Sequence, residues 1–145
     1  MTDNSLARRI SPKIFILQMH LTDRCNLRCA HCYQGDSHSS EMTFDQIVSI
    51  TSQFQEHCNL HGYSGQLTFT GGEPLIRRDL FDILEHVLTH HPSFRFAILT
   101  NGTLLTHEAV RKLSEFHPLF VQVSIDGSER THDEIRGKGS YISRS

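Results

Sequence analysis

The 145-residue chain has no apolar run approaching the roughly 20 residues of a membrane span. The apolar stretch Ile14 to Leu21 is short and contains Gln18 and His20. Charge of one sign is also lacking. Lys and Arg total 14 against 16 Asp and Glu, for a formal net charge of -2, and no basic stripe is longer than Arg8-Arg9 or Arg77-Arg78. That balance offers no electrostatic case for nucleic acid or an anionic membrane as partner. A small-residue cleavage site after Ile14 to Leu21 is missing, so Arg8-Arg9 does not read as a twin-arginine signal. With cysteines clustered three to one, the expected setting is reducing and cytoplasmic. A H-E-x-x-H zinc motif is absent too: His86 and His90 stand at i, i+4 on an expected helix without a glutamate or a third ligand. They read, with His91, as a solvated helix end. The length fits one domain and is short for a barrel enzyme.

What the chain does have is Cys25, Cys29 and Cys32, three cysteines at C-x-x-x-C-x-x-C spacing directly after the strand-like run. Three thiolates on one short loop turn toward a common point only when the loop folds around a metal or an iron-sulfur cluster. A disulfide would leave the third cysteine without a partner. Four protein ligands close a structural site, whereas three leave a coordination position open for chemistry. Cys58 lies elsewhere, in the helical stripe Ile47, Ile50, Phe54, Cys58, and reads as a buried small apolar residue. On this loop alone, a zinc site and a plain electron-transfer cluster both remain open.

The remaining punctuation alternates strand and helix. Residues 1–13 form an expected flexible lead-in, Ile14 to Leu21 a buried first strand, and Thr22 to Asp36 the cysteine loop, followed by a polar loop, Ser37 to Glu41. Thr43 with Gln46 forms a capping box that opens a helix ended by Gly62 and Gly65. Strands are expected over Gln66 to Thr70, Phe94 to Leu99 and Leu119 to Ile125. Helices are expected over Arg77 to His91, stopped by Pro92, and over Thr106 to Phe116. Such alternation predicts an α/β fold with parallel strands and right-handed crossovers. The polar motifs follow the strands: the cysteine loop, Gly71-Gly72-Glu73-Pro74, Thr100-Asn101-Gly102 and Ser124-Ile125-Asp126-Gly127. In a parallel sheet these positions share the carboxyl edge, where ligands bind.

The cysteine spacing and Gly71 to Pro74 after the second strand together resemble the radical S-adenosylmethionine (SAM) superfamily. Ser124-Ile125-Asp126-Gly127 and His132-Asp133-Glu134-Ile135-Arg136-Gly137 resemble its peptide- and protein-modifying subgroup, which includes sulfatase maturases. The resemblance implies that Cys25, Cys29 and Cys32 hold three irons of a 4Fe-4S cluster whose fourth iron is chelated by SAM. It further implies that Gly71, Gly72 and Glu73 meet the SAM amino group, that Ser124 and Arg136 meet its ribose and carboxylate, and that Asn101 lies beside the cofactor. Asp126 either meets a substrate or caps the turn after Gly127. His31 takes the place of an aromatic that packs near the adenine. An external one-electron donor such as a flavodoxin or ferredoxin would reduce the cluster, SAM would be cleaved to a 5'-deoxyadenosyl radical, and a peptide or protein would be the substrate. The family core is a partial parallel (β/α) barrel of six units. About four are expected here, with residues 14–145 forming a core domain incomplete at its C-terminal side and without auxiliary-cluster cysteines. A non-catalytic fragment that still binds a cluster is therefore an alternative to an active enzyme.

Overall fold

Along Leu17-Gln18-Met19-His20-Leu21 apolar and polar side chains alternate, and in a strand that period sends them to opposite faces. The computed structural model, which describes residues 13–34 and 41–141, places them in β1 (Lys13–Thr22). Met19 and Leu21 are buried in the core. The expected lead-in up to residue 12, the polar loop over residues 37–40 and the chain beyond residue 141 lie outside the described residues. After β1 come α1 (Phe44–His61), β2 (Tyr63–Gly71), a 3-10 turn (Pro74–Ile76), α2 (Leu80–His90), β3 (Arg95–Thr100), α3 (His107–Glu115), β4 (Val121–Val123) and α4 (Glu129–Arg136). The four strands form one parallel sheet in the order β1-β2-β3-β4. This is the expected run of four βα units.

One face of the sheet contributes Met19, Leu21, Leu67, Phe69, Phe96 and Ile98 to a core shared with Ile47, Phe54 and Cys58 of α1, Ile83, Leu84 and Val87 of α2, and Leu113 of α3. Cys58 is buried there, as its stripe predicts. The capping box of α1 is present in both directions, Gln46 N–H to the Thr43 hydroxyl and Thr43 N–H to the Gln46 amide. The other sheet face carries Gln18, Thr70 and Leu99, which border the cavity described below.

Several expected boundaries move. β1 is not buried throughout: Ile14 and Ile16 are 62% and 55% exposed, because they lie on an edge strand and on the face that the helices do not cover. Gly62 caps α1 in the left-handed region at φ 65°, but Gly65 belongs to β2. A Cβ at Gly65 would come within 2.4 Å of the Phe94 ring and 3.1 Å of Phe54, so the glycine admits the ring packing that closes this end of the core. The helix expected from Arg77 begins at Leu80 instead. Arg77 is buried and extended, with its guanidinium donating to the Leu21 carbonyl at 2.7 Å and forking onto Asp79 at 2.7 and 2.9 Å. Asp79, at the N-cap position, therefore spends its carboxylate on Arg77 and makes no cap bond. The fourth strand is assigned over three residues, though its backbone bonds run from Leu119 N–H on Phe96 O to Ser124 N–H on Thr100 O. His91 is buried against Phe94 with ring centroids 5.1 Å apart, not solvated as expected.

The Arg77 guanidinium holds the Asp79 carboxyl below its ordinary value of 3.8. A carboxylate whose pKa is depressed on folding stabilises the fold fully above that ordinary value and loses the contribution as pH falls through the folded value. Arg77→Met should lower stability by about 2–3 kcal/mol near neutrality, since it strips a buried carbonyl and a carboxylate of their donors. In urea unfolding, the gap between the variant and the unmodified chain should narrow as pH drops below 3.8, leaving the part that belongs to the Leu21 carbonyl. A gap that persists unchanged at low pH would contradict the ion-pair origin.

Candidate functional site

Parallel pairing places the loops after β1, β2, β3 and β4 at one edge of the sheet. A cavity of about 300 Å³ opens there. Its walls include Cys25, Cys29, His31 and Cys32 from the first loop, Gly71 and Gly72 from the second, Asn101 from the third, and Ser124 and Arg136 from the fourth strand end and α4. Nine of the ten residues expected at a site thus share one cavity. All three loop cysteines also border a second cavity of about 250 Å³ lined by Asp23, Leu27, Arg28 and Gln34. The cysteine loop is a wall between the two.

Glu73 sits behind the cavity, not in its lining. The side chain is fully buried and accepts from Leu75 N–H at 3.0 Å, from the Thr100 hydroxyl at 2.8 and 2.9 Å, and from Asn101 N–H at 2.8 Å. Buried carboxylate oxygens demand such donors. The same segment clamps the start of the cysteine loop: Gly72 N–H donates to Thr22 O at 2.7 Å and Glu73 N–H to Arg24 O at 2.9 Å. A Cβ on Gly72 would lie 2.2 Å from Arg24 O, so only glycine permits the approach.

Contacts at two further points fix the cysteine loop. Asn101 places its amide nitrogen 3.7 Å from Cys25 Sγ and 3.0 Å from Asn26 Oδ1. Farther along the loop, Ala30 N–H donates to Ile135 O at 2.8 Å, and His31 lies 3.9 Å from Asp126. Asp126 does not cap α4; Ser128 does, and Asp126 accepts from Arg136 at 2.6 Å. That bond holds the Asp126 carboxyl below its ordinary value. Arg136 is mostly buried, with its side chain 13% exposed. Burial pushes the Cys29 thiol up, opposed by the Arg136 guanidinium and reinforced by Cys25 and Cys32.

The sequence reading missed Gln18, Leu27, Tyr33, Gln34, Thr70 and Leu99 as cavity residues. A signal was there for Gln18 and Thr70, polar residues alternating with core positions near strand ends. For Tyr33 and Gln34 the signal was position beside Cys32. His132, within the quoted H-D-x-x-R-G segment, was not expected to be buried; its Nδ1 accepts from Asp126 N–H at 3.2 Å and steadies the turn before α4.

The model of the radical SAM superfamily matches residues 19–144, and the chain belongs to that superfamily. It is 34% identical over 128 residues to the Fe-coproporphyrin III synthase of Methanosarcina barkeri, covering 87% of this chain and 31% of that protein. To the antilisterial bacteriocin subtilosin biosynthesis protein AlbA of Bacillus subtilis it is 37% identical over 126 residues, with 83% and 27% covered. The chain thus spans about a third of the length of these curated relatives. Among solved structures, anSMEcpe with bound AdoMet and the Cp18Cys peptide superposes with a TM-score of 0.67 at 23% identity, covering 86% of this chain and 34% of that one. This likeness confirms the partial radical SAM barrel expected from the sequence.

Membership gives the chain the cofactor pair of its family, a 4Fe-4S cluster and S-adenosylmethionine. The residues fit that pair. All four cysteines are unpaired thiols, and three border one cavity. Among the described residues no three Cys, His, Asp or Glu side chains converge on a single metal-ion position. A cluster needs its thiolates on separate irons. No helix among the described residues is long and apolar enough to cross a membrane.

Gly72→Ala should cost about 1–3 kcal/mol through overpacking against Arg24 O and should cut iron uptake on anaerobic reconstitution, because the entry to the cysteine loop must move. Urea midpoints and iron analysis check this. A variant with unchanged midpoint and iron content would contradict the close approach.

Proposed function

We propose that this chain is the cofactor-binding part of a radical SAM enzyme that modifies a peptide or protein. The observation that carries the reading is the convergence of Cys25, Cys29 and Cys32 with Gly71, Gly72, Asn101, Ser124 and Arg136 on one cavity. In this reading Cys25, Cys29 and Cys32 hold the cluster. When bound and reduced by an external one-electron donor such as a flavodoxin or ferredoxin, the cluster and SAM supply a 5'-deoxyadenosyl radical that abstracts hydrogen from substrate. The chain's own work is to bind and orient.

Gly71 and Gly72 border the cavity, and backbone carbonyls are suitable acceptors for the SAM amino group; a Cβ on either would meet Thr22 O or Arg24 O, so the glycines serve the site by letting this loop close on the cysteine loop. Glu73 serves that amino-group site from behind, by holding Leu75, Thr100 and Asn101 in place. Arg136 offers a cation to the SAM carboxylate, and Asp126 fixes its guanidinium plane through the Nε bond. Ser124 supplies a hydroxyl at the fourth strand end for the ribose. His31 stands at the cavity wall as a planar ring beside the adenine. The peptide substrate is supported by the likeness to AlbA, a bacteriocin biosynthesis protein, and by Ser124 to Gly127 and His132 to Gly137, the segments that resemble the peptide-modifying subgroup.

Anaerobic reconstitution with iron and sulfide, then reduction with dithionite in the presence of SAM, should yield 5'-deoxyadenosine above the level of a variant with Cys25, Cys29 and Cys32 all replaced by alanine. Cys58→Ala should take up iron like the unmodified chain. Deoxyadenosine at the level of the triple variant would sink the catalytic reading, and stoichiometric zinc without iron and sulfide would sink the cluster.

A further inference from the structure

Asn101 stands between the cysteine loop and the loop after β3 with both ends of its amide committed. Its Oδ1 accepts from Thr103 N–H at 2.9 Å and from the Thr103 hydroxyl at 2.6 Å. Its own backbone N–H is fixed on the Glu73 carboxylate at 2.8 Å. Turning the amide over would set its NH₂ against the Thr103 N–H and its oxygen against Asn26 Oδ1, so the network assigns the orientation. Asn26 is itself held by donation from Nδ2 to Thr103 Oγ1 at 2.8 Å. The two hydrogens of Asn101 Nδ2 therefore have two acceptors, Asn26 Oδ1 at 3.0 Å and Cys25 Sγ at 3.7 Å. Leu27 N–H is a further donor to the same sulfur, at 3.4 Å.

We propose that Asn101 is a positioning residue that tunes the cluster through Cys25, by an N–H···S hydrogen bond that raises the cluster's reduction potential. The inference rests on Cys25 being a cluster ligand. One-electron reduction adds negative charge that spreads onto the ligand sulfurs, and a donor aimed at such a sulfur stabilises the reduced state more than the oxidised one. Because Glu73 and Thr103 hold the donor in place, it needs no rearrangement when the electron arrives.

The test is the midpoint potential of the reconstituted full chain by anaerobic optical titration, with the terminal iron-sulfur stretching bands in resonance Raman as a second readout. Asn101→Asp keeps an oxygen for both Thr103 bonds and removes the N–H from the sulfur; Asn101→Ala removes it without adding charge. Asn26→Ala loosens the same ring but leaves the N–H on Cys25. Both Asn101 variants should shift to more negative potential, Asp further than Ala, with altered stretching bands, and Asn26→Ala should not shift in that direction. An Asn101→Asp potential equal to that of the unmodified chain, or an Asn26→Ala shift as negative as that of the Asn101 variants, overturns the inference. Should Asn101→Ala fail to load iron, the other two variants decide by the same outcomes. An unmodified chain that assembles no cluster overturns the ligand role of Cys25 and this inference with it, whereas failure to cleave SAM leaves the potential readable and touches only the catalytic reading.

Discussion

Glu73 is a carboxylate taken wholly out of water at the end of the second strand, and every donor that satisfies it comes from a site loop. Leu75 lies on its own loop; Thr100 ends the third strand and Asn101 opens the loop after it. An uncompensated buried carboxylate is costly, so those two loops keep their relative position or the carboxylate loses its partners. The Thr100 hydroxyl extends the chain by accepting from Gly102 N–H at 3.0 Å. Asn101 then carries the same order to Asn26 and Cys25, and the backbone of Gly72 and Glu73 reaches Thr22 and Arg24 at the start of the cysteine loop. Three strand ends are coupled through one side chain.

The fourth strand end is joined to the first by different means. Ala30 N–H on Ile135 O is a backbone bond from the middle of the cysteine loop to the last turn of α4. Asp126 draws Arg136 toward the same place, and His132 fixes the Asp126 backbone from inside α4. The cysteine loop is therefore braced from two directions, by Asn101 near Cys25 and by α4 near Cys29. A loop with no regular secondary structure gains its shape from these contacts, which lie far away in sequence.

That distance explains what could be read in advance. The alternation of strand and helix, the capping box at Thr43 and the placing of four motifs at one sheet edge follow from local pattern and from the rule that ligands gather at strand carboxyl ends. The cysteines and glycines were legible because their spacing and their freedom from bulk are local properties. Glu73 was expected beside the cofactor and instead lies behind the cavity, since nothing local to Gly71-Gly72-Glu73 reveals that Thr100 and Asn101 will donate to it. Arg77 misled the helix boundary for a related reason. Its preference for a helix was outweighed by a buried carbonyl on β1 and by Asp79, whose carboxylate was taken from the cap. Likewise the exposure of Ile14 and Ile16 depends on which sheet face the helices cover, and apolar composition alone does not encode that.

The electrostatics of the cysteine loop show why its bracing matters for cluster binding. Cys29 is held toward its neutral thiol first by burial and then by the proximity of Cys25, Cys32 and Asp126. Arg136 opposes this, but its Nε is already engaged by Asp126, and the balance stays on the side of the thiol. Cluster ligation requires thiolates, so a cluster held by Cys29 would have to displace its proton. The loop itself closes on two backbone bonds, Glu73 N–H to Arg24 O and Ala30 N–H to Ile135 O, and on the side-chain amide of Asn101. The raised Cys29 pKa and the bracing thus have one source: the contacts that hold the loop in place also keep its middle cysteine partly out of water.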